Sequence, residues 1–310
     1  GAGRLDLEGD VRVRSTPDAM TSDRLDAREV SLDLANRVGG VRPAGERAEG
    51  LLADEGGKDL KRLVARGDAV MERRTWKTAA RRGDPRLFRV EGAHVEYLVA
   101  SREALVDGAG GLLVHDPESS TAPEDRGPAS TAGFGIDGTS RFRWARRMTM
   151  NREVDDRYLV VMEREVEVLH AGLQPDDTLS LTADRLEVTI ERPDEAAAVA
   201  ADGKTTPQDA GKDAGRNPLE SSGVELGGPA DLVRVRGIGR VFVRTPEHDV
   251  ECSEFDYNVD TQIAMLRADP GRVVTVQSKG AATPIRAERV QWDLRTGRIR
   301  ILGGEGAISR

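Results

Sequence analysis

The chain has 310 residues, of which 32% are charged and 38% are hydrophobic, and its net charge is −8. This composition is too apolar and too regularly patterned for a chain that is disordered throughout, and the negative balance argues against a nucleic-acid-binding surface. It is also too polar for a large globular enzyme with a wide core, so we expect a thin, elongated body with much surface per residue.

The N-terminal part begins with a short alternating strand at residues 9–13, followed by a pattern that recurs along the chain. The pattern reads apolar-x-small-x-x-apolar-x-apolar-x-apolar. Its five copies occupy residues 25–34, 90–99, 181–190, 250–259 and 285–294. The small residues are Ala27, Gly92, Ala183, Cys252 and Ala287. A recurring unit of this size predicts a repeat architecture.

Each copy predicts a bent strand. Strict alternation makes one face of a strand apolar and the other polar, and the step of three after the small residue changes the phase. A bulge or corner with one extra residue lets the chain turn while its apolar side stays inward, with the small residue in a crowded inside corner. The predicted inward residues after the corner are Val30, Leu32, Leu34, Val95, Tyr97, Val99, Leu186, Val188, Ile190, Phe255, Tyr257, Val259, Val290, Trp292 and Leu294.

The segments between the copies predict further strands and three irregular stretches. Additional strands are expected at residues 63–70, 142–150 and 158–169, where apolar residues alternate. Residues 42–61 are charged and Gly-rich and predict a loop.

Two insertions have compositions that are typical of flexible chain. Residues 116–133 are rich in Pro, Ser, Thr, Asp and Glu, and residues 193–222 contain almost no large apolar side chain. The second segment cannot bury enough surface to offset its ordering entropy, so it is interpreted as disordered. Because the repeat continues after it, we interpret N-terminal repeats over 1–192 and C-terminal repeats over 223–310 as one continuous body.

The last ninety residues predict hairpins. Turns at 260–262 and 295–297 lead into short alternating strands at 263–265 and 299–301, and residues 304–308 predict one more strand. Because the chain begins at Gly1, it is expected to be a processed form or an excised segment.

The residue types that carry catalysis or bind metals do not form a recognisable motif. His94, His115, His170 and His248 lie at no metal-ligand spacing with one another or with Cys252, so neither a metal nor a cofactor is predicted. Cys252 fills a small-residue position and is expected to be a buried apolar residue. No nucleophile elbow or phosphate-binding loop occurs.

The C-terminal repeats resemble a known family. Residues 287–306 read small-Glu-Arg-apolar-x-aromatic-Asp-Leu-x-Thr-Gly-Arg, followed by apolar-x-Gly-x-Gly, and residues 252–265 are similar. This pattern resembles the OstA-like, or LptA-like, β-jellyroll repeat of periplasmic lipopolysaccharide-transport proteins. The resemblance is strong over 223–310 and fair over 85–115 and 160–190.

The resemblance implies an all-β fold, an elongated antiparallel β-jellyroll in which a sheet of bent hairpin repeats is folded over an apolar interior. It implies a non-enzymatic, periplasmic protein that binds lipopolysaccharide or a similar amphipathic lipid through the inward residues named above. Membrane anchoring through a segment not present here and pairing of edge strands with other β-jellyroll modules are further expectations, whereas nucleic acid is not an expected partner.

Three alternatives stay open at this point. The inward residues are equally compatible with a structural or scaffold β-repeat protein whose core is filled and binds no lipid. Arg286, Arg289, Arg298 and Arg300 could meet anionic headgroups or form a solvated face. A carbohydrate-acting enzyme on a β-scaffold would need a pair of carboxylates in a cleft, and the abundant Asp and Glu residues nominate none.

Overall fold

The structure is a computed structural model, and it describes residues 3–16, 19–36, 58–117, 138–154, 157–172, 178–191 and 231–302. No helix occurs among these residues, which confirms the all-β prediction. Accordingly, no helix in the described part of the chain could cross a membrane. The strands of the described residues are β1 (Gly3–Ser15), β2 (Thr21–Asn36), β3 (Lys58–Thr75), β4 (Arg86–Leu98), β5 (Glu103–Asp116), β6 (Gly138–Trp144), β7 (Arg147–Arg152), β8 (Arg157–Ala171), β9 (Thr178–Glu191), β10 (Asp231–Arg244), β11 (His248–Asn258), β12 (Ile263–Arg267), β13 (Val274–Ser278), β14 (Ile285–Ala287), β15 (Arg289–Asp293) and β16 (Arg298–Ile301).

The sixteen described strands form one antiparallel sheet in which almost every strand pairs with its neighbours in sequence. Each later strand either shares the position of the strand before it or is added at the next position, so the sheet grows in one direction from β1 to β16. Thirteen strand positions at a spacing of roughly 4.8 Å give a body roughly 60 Å long. The prediction of an elongated antiparallel sheet of hairpin repeats is therefore confirmed.

Some strand positions consist of two short strands. Both β6 and β7 pair with β5 and β8, so together they fill one position, interrupted at Ala145 and Arg146. In the same way β11 pairs with both β12 and β13, which are separated by residues 268–273. The sheet also continues across the long insertion, because β9 pairs with β10.

The predicted bend is present in every copy of the repeat. The register shifts between Asp26 and Glu29 in β2, between Gly92 and His94 in β4, and opposite the corresponding segments of the neighbouring strands. The small residue lies at the bend, as expected, and the alternation of buried residues changes phase there. The intervening strands bend at the same level, so the corner crosses the whole sheet.

Left-handed glycines make the corner on the intervening strands. Gly67 in β3 has a φ of 77° and Gly239 in β10 has a φ of 96°, which side chains other than glycine rarely adopt. A Cβ on Gly67 would lie 2.7 Å from the Cβ of Arg28, and one on Gly239 would lie 2.7 Å from the Cβ of Asp184. Arg28 and Asp184 each follow the small residue of a repeat copy, so glycine allows the two strands to approach at the corner.

Two boundary predictions need correction, and others lie outside the described residues. The predicted loop at 42–61 is wrong for residues 58–61, because β3 begins at Lys58. The hydrogen-bonded ladder between β3 and β2 extends over these residues and stabilises a strand there despite their charge. Asp116, predicted to open a flexible insertion, ends β5 and is buried beside the Arg86 guanidinium. Residues 42–57, 118–133, 193–222 and 304–308 lie outside the described part of the chain.

Candidate functional site

The corner divides the inward face of the sheet into two walls that enclose one apolar core. Wall one carries the inward row next to the corner on the side of Leu25, and wall two carries the inward rows on the side of Val30. The row of wall one comprises Leu25, Met71, Val90, Leu112, Phe142, Val168, Leu181, Val243, Val250, Val276 and Ile285. The first row of wall two comprises Val30, Ala65, Val95, Val106, Met148, Met162, Leu186, Gly237, Phe255, Leu266 and Val290.

The fifteen residues predicted to face inward all lie on wall two. Twelve of them are at most 6% exposed, and Val99, Ile190 and Val259 are partly buried at the outer margin of the wall. The structure therefore brings the predicted set together as three neighbouring rows that run along the length of the sheet. Their contact with lipid stays a prediction.

The interior is filled by its own side chains in this structure. A side chain facing a water-sized empty space would keep exposed surface, whereas Val95, Leu186 and Phe255 are 0% exposed. Large and small residues alternate across the strands: Phe255 lies opposite Gly237, and Ala264 separates Tyr257 from Trp292. This complementarity is that of a close-packed protein core.

The walls contact each other through side chains near the C-terminal end. The ring of His248 on wall one meets the ring of Trp292 on wall two edge to face, with centroids 5.4 Å apart and an interplanar angle of 88°. Aromatic rings favour this geometry because a positive edge meets a negative face. The contact shows that the sheet is folded over on itself.

A polar row on wall one is a feature that the sequence analysis missed. It lies two residues farther from the corner than Leu25 and is defined by three polar cross-strand pairs, which are separated along the row by the apolar residues Phe88, Val114 and Leu179. The Arg73 guanidinium donates two hydrogen bonds to the Asp23 carboxylate, at 2.7 and 2.9 Å. The other pairs join Ser140 Oγ to His170 Nδ1 at 2.9 Å, and His248 Nδ1 to Ser278 Oγ at 3.0 Å.

The polar row distinguishes wall one from wall two. At the same distance from the corner, wall two carries Leu32, Tyr97, Val188, Tyr257 and Trp292. His170 is 4% exposed, so its partner Ser140 satisfies a polar group that burial would otherwise penalise. The sequence contains only a weak signal for this row, which is a polar residue at an inward position of the alternating pattern, just before or after an apolar run.

A sixth repeat unit, also missed, lies in the middle of the sheet. Trp144 pairs with Gly110, as Gly92 does on the other side, so a tryptophan occupies the position of the small residue. A Cβ on Gly110 would lie 2.6 Å from Cζ2 of Trp144, so this glycine makes room for the indole. The Trp144 Nε1–H donates to the Gly108 carbonyl oxygen at 3.1 Å.

Cys252 lies in the corner and is 6% exposed, as expected for a buried small residue. Burial raises the pKa of its thiol to about 12, so the thiol is protonated and weakly reactive at neutral pH. Within the described ranges no three His, Cys, Asp or Glu side chains come together as a metal-binding group.

The outward face of wall two is covered by ion pairs. Arg62 donates to Glu96 at 2.7 Å, and this hydrogen bond holds the pKa of the Glu96 carboxyl below its usual value. Arg236 and Glu254 form a similar cross-strand pair at 2.8 Å. Of the four arginines considered for headgroup binding, Arg289, Arg298 and Arg300 are exposed on this face, and Arg286 is exposed on the outward face of wall one. The outward face of wall two is solvated, as interspersed charges predict.

Comparison of the chain with family models, with curated proteins and with solved structures found no match. The likeness to OstA-like repeats therefore rests on the residues of the chain itself.

Proposed function

We propose that this chain is a non-enzymatic periplasmic protein of the lipopolysaccharide-transport type, which shields the acyl chains of an amphipathic lipid between its two walls. The observation that carries the proposal is the interior, where the apolar rows of wall two run without interruption from β1 to β16. Burying acyl surface there would stabilise a complex by about 25 cal/mol per Å². No covalent chemistry is required of the protein.

The walls would have to separate to admit a chain. In the described part of the chain they are joined covalently at the corner, and across the interior they meet through side chains such as His248 and Trp292. An acyl chain inserted between them would replace one apolar surface with another, so the hydrophobic free energy of the walls would be largely retained. Opening is therefore compatible with the packed interior.

The ends of the sheet support a bridging role. Among the described strands, β1 pairs only with β2 and β16 pairs only with β15. A strand with one free edge offers main-chain hydrogen bonds to a further β-jellyroll module. The inward residues Leu5 and Ile299 of these end strands are partly buried against the core, so the apolar rows reach both ends.

The full burial of the inward residues favours a second candidate, a structural β-repeat protein with a filled core and no ligand. Its side chains cover one another at Val95, Leu186 and Phe255 without any lipid. Under this candidate the free edges at β1 and β16 would be the functional surface.

Photocrosslinking distinguishes the two candidates. A benzophenone amino acid at Tyr97 would face the interior, and the same residue at Leu98, its neighbour on the outward side, is the matched control. Expression in a Gram-negative host followed by irradiation and mass spectrometry should give a lipid adduct at position 97 and none at position 98. Equal labelling at both positions, or protein without any lipid adduct or co-purifying lipid, favours the filled-core scaffold.

A further inference from the structure

The indole N–H of Trp292 is a buried donor without an acceptor. Trp292 is 3% exposed, and its Nε1 has no hydrogen-bond partner in the described part of the chain. Trp144 makes the contrast, because its Nε1–H donates to the Gly108 carbonyl oxygen at 3.1 Å. Since a buried tryptophan N–H normally finds a partner, the orphaned donor of Trp292 calls for an explanation.

The surroundings of Trp292 limit which kind of group could accept a hydrogen bond from its indole N–H. Its cross-strand neighbours on either side, Ala264 and Ile299, are apolar, and the ring of His248 covers it from wall one. A charged phosphate would lose its hydration here without a paired cation, whereas a neutral carbonyl loses much less. The site therefore fits an uncharged acceptor that is attached to a hydrocarbon chain.

The position of Trp292 in the sheet gives such a chain access. Its strand, β15, is next to β16, the last described strand, where Ile299 is only partly buried. The small side chain of Ala264 leaves Trp292 without a bulky neighbour on the β12 side. An acyl chain that entered between the walls at this end would meet Trp292 within two strands of the end.

We propose that Trp292 Nε1–H binds the carbonyl oxygen of an acyl ester or amide, with the acyl chain lying along wall two. The inference rests on the proposed lipid binding and adds to it a defined contact. It makes the protein selective for acyl-linked lipids over alkyl-linked ones. His248, held by its hydrogen bond to Ser278, covers the site from the opposite wall.

The experiment compares two lipids that differ only in this carbonyl. Diacyl phosphatidylglycerol and its dialkyl ether analogue of equal chain length are titrated into ¹⁵N-labelled protein, and the indole resonances are followed. The ester lipid should shift the Trp292 indole proton and leave that of Trp144 in place, and it should bind about two- to tenfold more tightly than the ether, the value of one neutral hydrogen bond. W292F should abolish this preference, so that the two lipids bind the variant with equal affinity.

Equal affinity of the wild-type protein for the two lipids, or a preference that survives W292F, would overturn the Trp292 site while leaving lipid binding intact. Failure of both lipids to bind would overturn the proposed function together with this site. The wild-type comparison does not depend on the folding of any variant, so the result stands even if W292F is destabilised.

Discussion

The two walls are equally apolar next to the corner and differ toward their outer margins. Wall two continues with aliphatic and aromatic rows, whereas wall one becomes partly polar, with Arg73, His170 and His248 each hydrogen-bonded to a neighbouring strand between apolar residues of the same row. Both walls are the same strands on either side of one bend. The difference teaches that a folded-over sheet can be stabilised mainly by burial on one wall and partly by hydrogen bonds on the other, so the walls should respond differently to substitution and to pH.

A charge on wall two should have the largest effect. Tyr257→Asp removes a fully buried aromatic side chain, which costs about 3–5 kcal/mol, and adds the desolvation of an unpaired carboxylate. The sum is comparable with the whole stability of a typical domain. We expect loss of cooperative unfolding of the C-terminal repeats in urea and loss of lipid binding.

Gln291→Asp is the matched control for the charge on wall two. Gln291 lies on the outward side, and its cross-strand partner in β16 is Arg300, so the new carboxylate meets a cation near solvent. Its effect on the free energy of unfolding should stay within about 0.5 kcal/mol. If Tyr257→Asp instead leaves both folding and lipid binding intact, the assignment of the inward face is wrong.

Truncating a side chain at the corner between the two walls should have the next largest effect on stability. Trp144→Ala empties the corner that Gly110 leaves open and removes the hydrogen bond to Gly108, so we expect a loss of about 3–5 kcal/mol in chemical denaturation. Trp76→Ala is the control, because Trp76 is partly exposed and its ring lies against the Arg81 guanidinium, 4.9 Å from the ring centroid. It should cost about 1 kcal/mol or less. Equal losses would show that Trp144 does not fill the corner.

Just below neutral pH, the acid response should come from wall one. Burial lowers the pKa of His248 below 6.5, with the Glu247 carboxylate acting in the opposite direction. The unfolded chain therefore takes up a proton at higher pH than the folded protein, so stability is present above pH 6.5 and is lost as pH falls through the folded pKa. Urea unfolding across this range should show the slope, and His248→Gln should reduce it. An unchanged slope in the variant would assign the acid response to other groups.

Wall two should respond at alkaline pH instead. Burial raises the pKa of Tyr257 from 10.0 to about 12, so its contribution is present below pH 10 and is lost as pH rises toward 12. Two pH units correspond to at most about 3 kcal/mol. Tyr257→Phe should remove this part of the slope. The pH dependence of unfolding should be measured in a Cys252→Ala background, because the Cys252 thiol titrates over a pH range that overlaps with that of Tyr257.

The bends of the sheet could be predicted from the sequence because each bend coincides with a local change in the phase of the apolar alternation. The step of three after Ala27 or Ala183 is visible without knowing any neighbour. The sixth bend escaped because Trp144 is large and one additional residue precedes Met148. Its compensation, Gly110, lies on the adjacent strand, and only the register brings the two together.

The polar row could not be predicted for a related reason. Ser140 and His170 are thirty residues apart, as are His248 and Ser278, so each pair exists only through strand pairing. The packing of the interior is likewise a property of neighbours, since only the β10–β11 ladder places Gly237 opposite Phe255. Period-two patterns identify which face is inward, but they do not encode which side chains share a space on that face.

The smallest effect is expected outside the corner, where two ion pairs occupy equivalent positions with opposite charges. Arg28 pairs with Asp68 at 2.8 Å between β2 and β3, and Asp184 pairs with Arg240 at 2.8 Å between β9 and β10. Both pairs are exposed, so each should contribute only about 0.2–1 kcal/mol, less at high salt. Asp184→Arg should lower the free energy of unfolding by slightly more than the loss of one such ion pair, because it also removes the acceptor of the Arg240 backbone N–H at 3.1 Å.

The double variant D184R/R240D tests whether the corner is equivalent at these two places in the sheet. It recreates between β9 and β10 the charge order found between β2 and β3, so it should recover most of the stability that Asp184→Arg loses. The residual deficit is the lost acceptor of the backbone N–H, which an arginine at position 184 cannot replace. Salt should narrow the gap between the single and double variants, since the repulsion between two exposed guanidinium groups is screened within about 10 Å at 0.1 M. Recovery that fails at every salt concentration would mean that the corner tolerates only one charge order, and that its geometry differs between the two ends of the sheet.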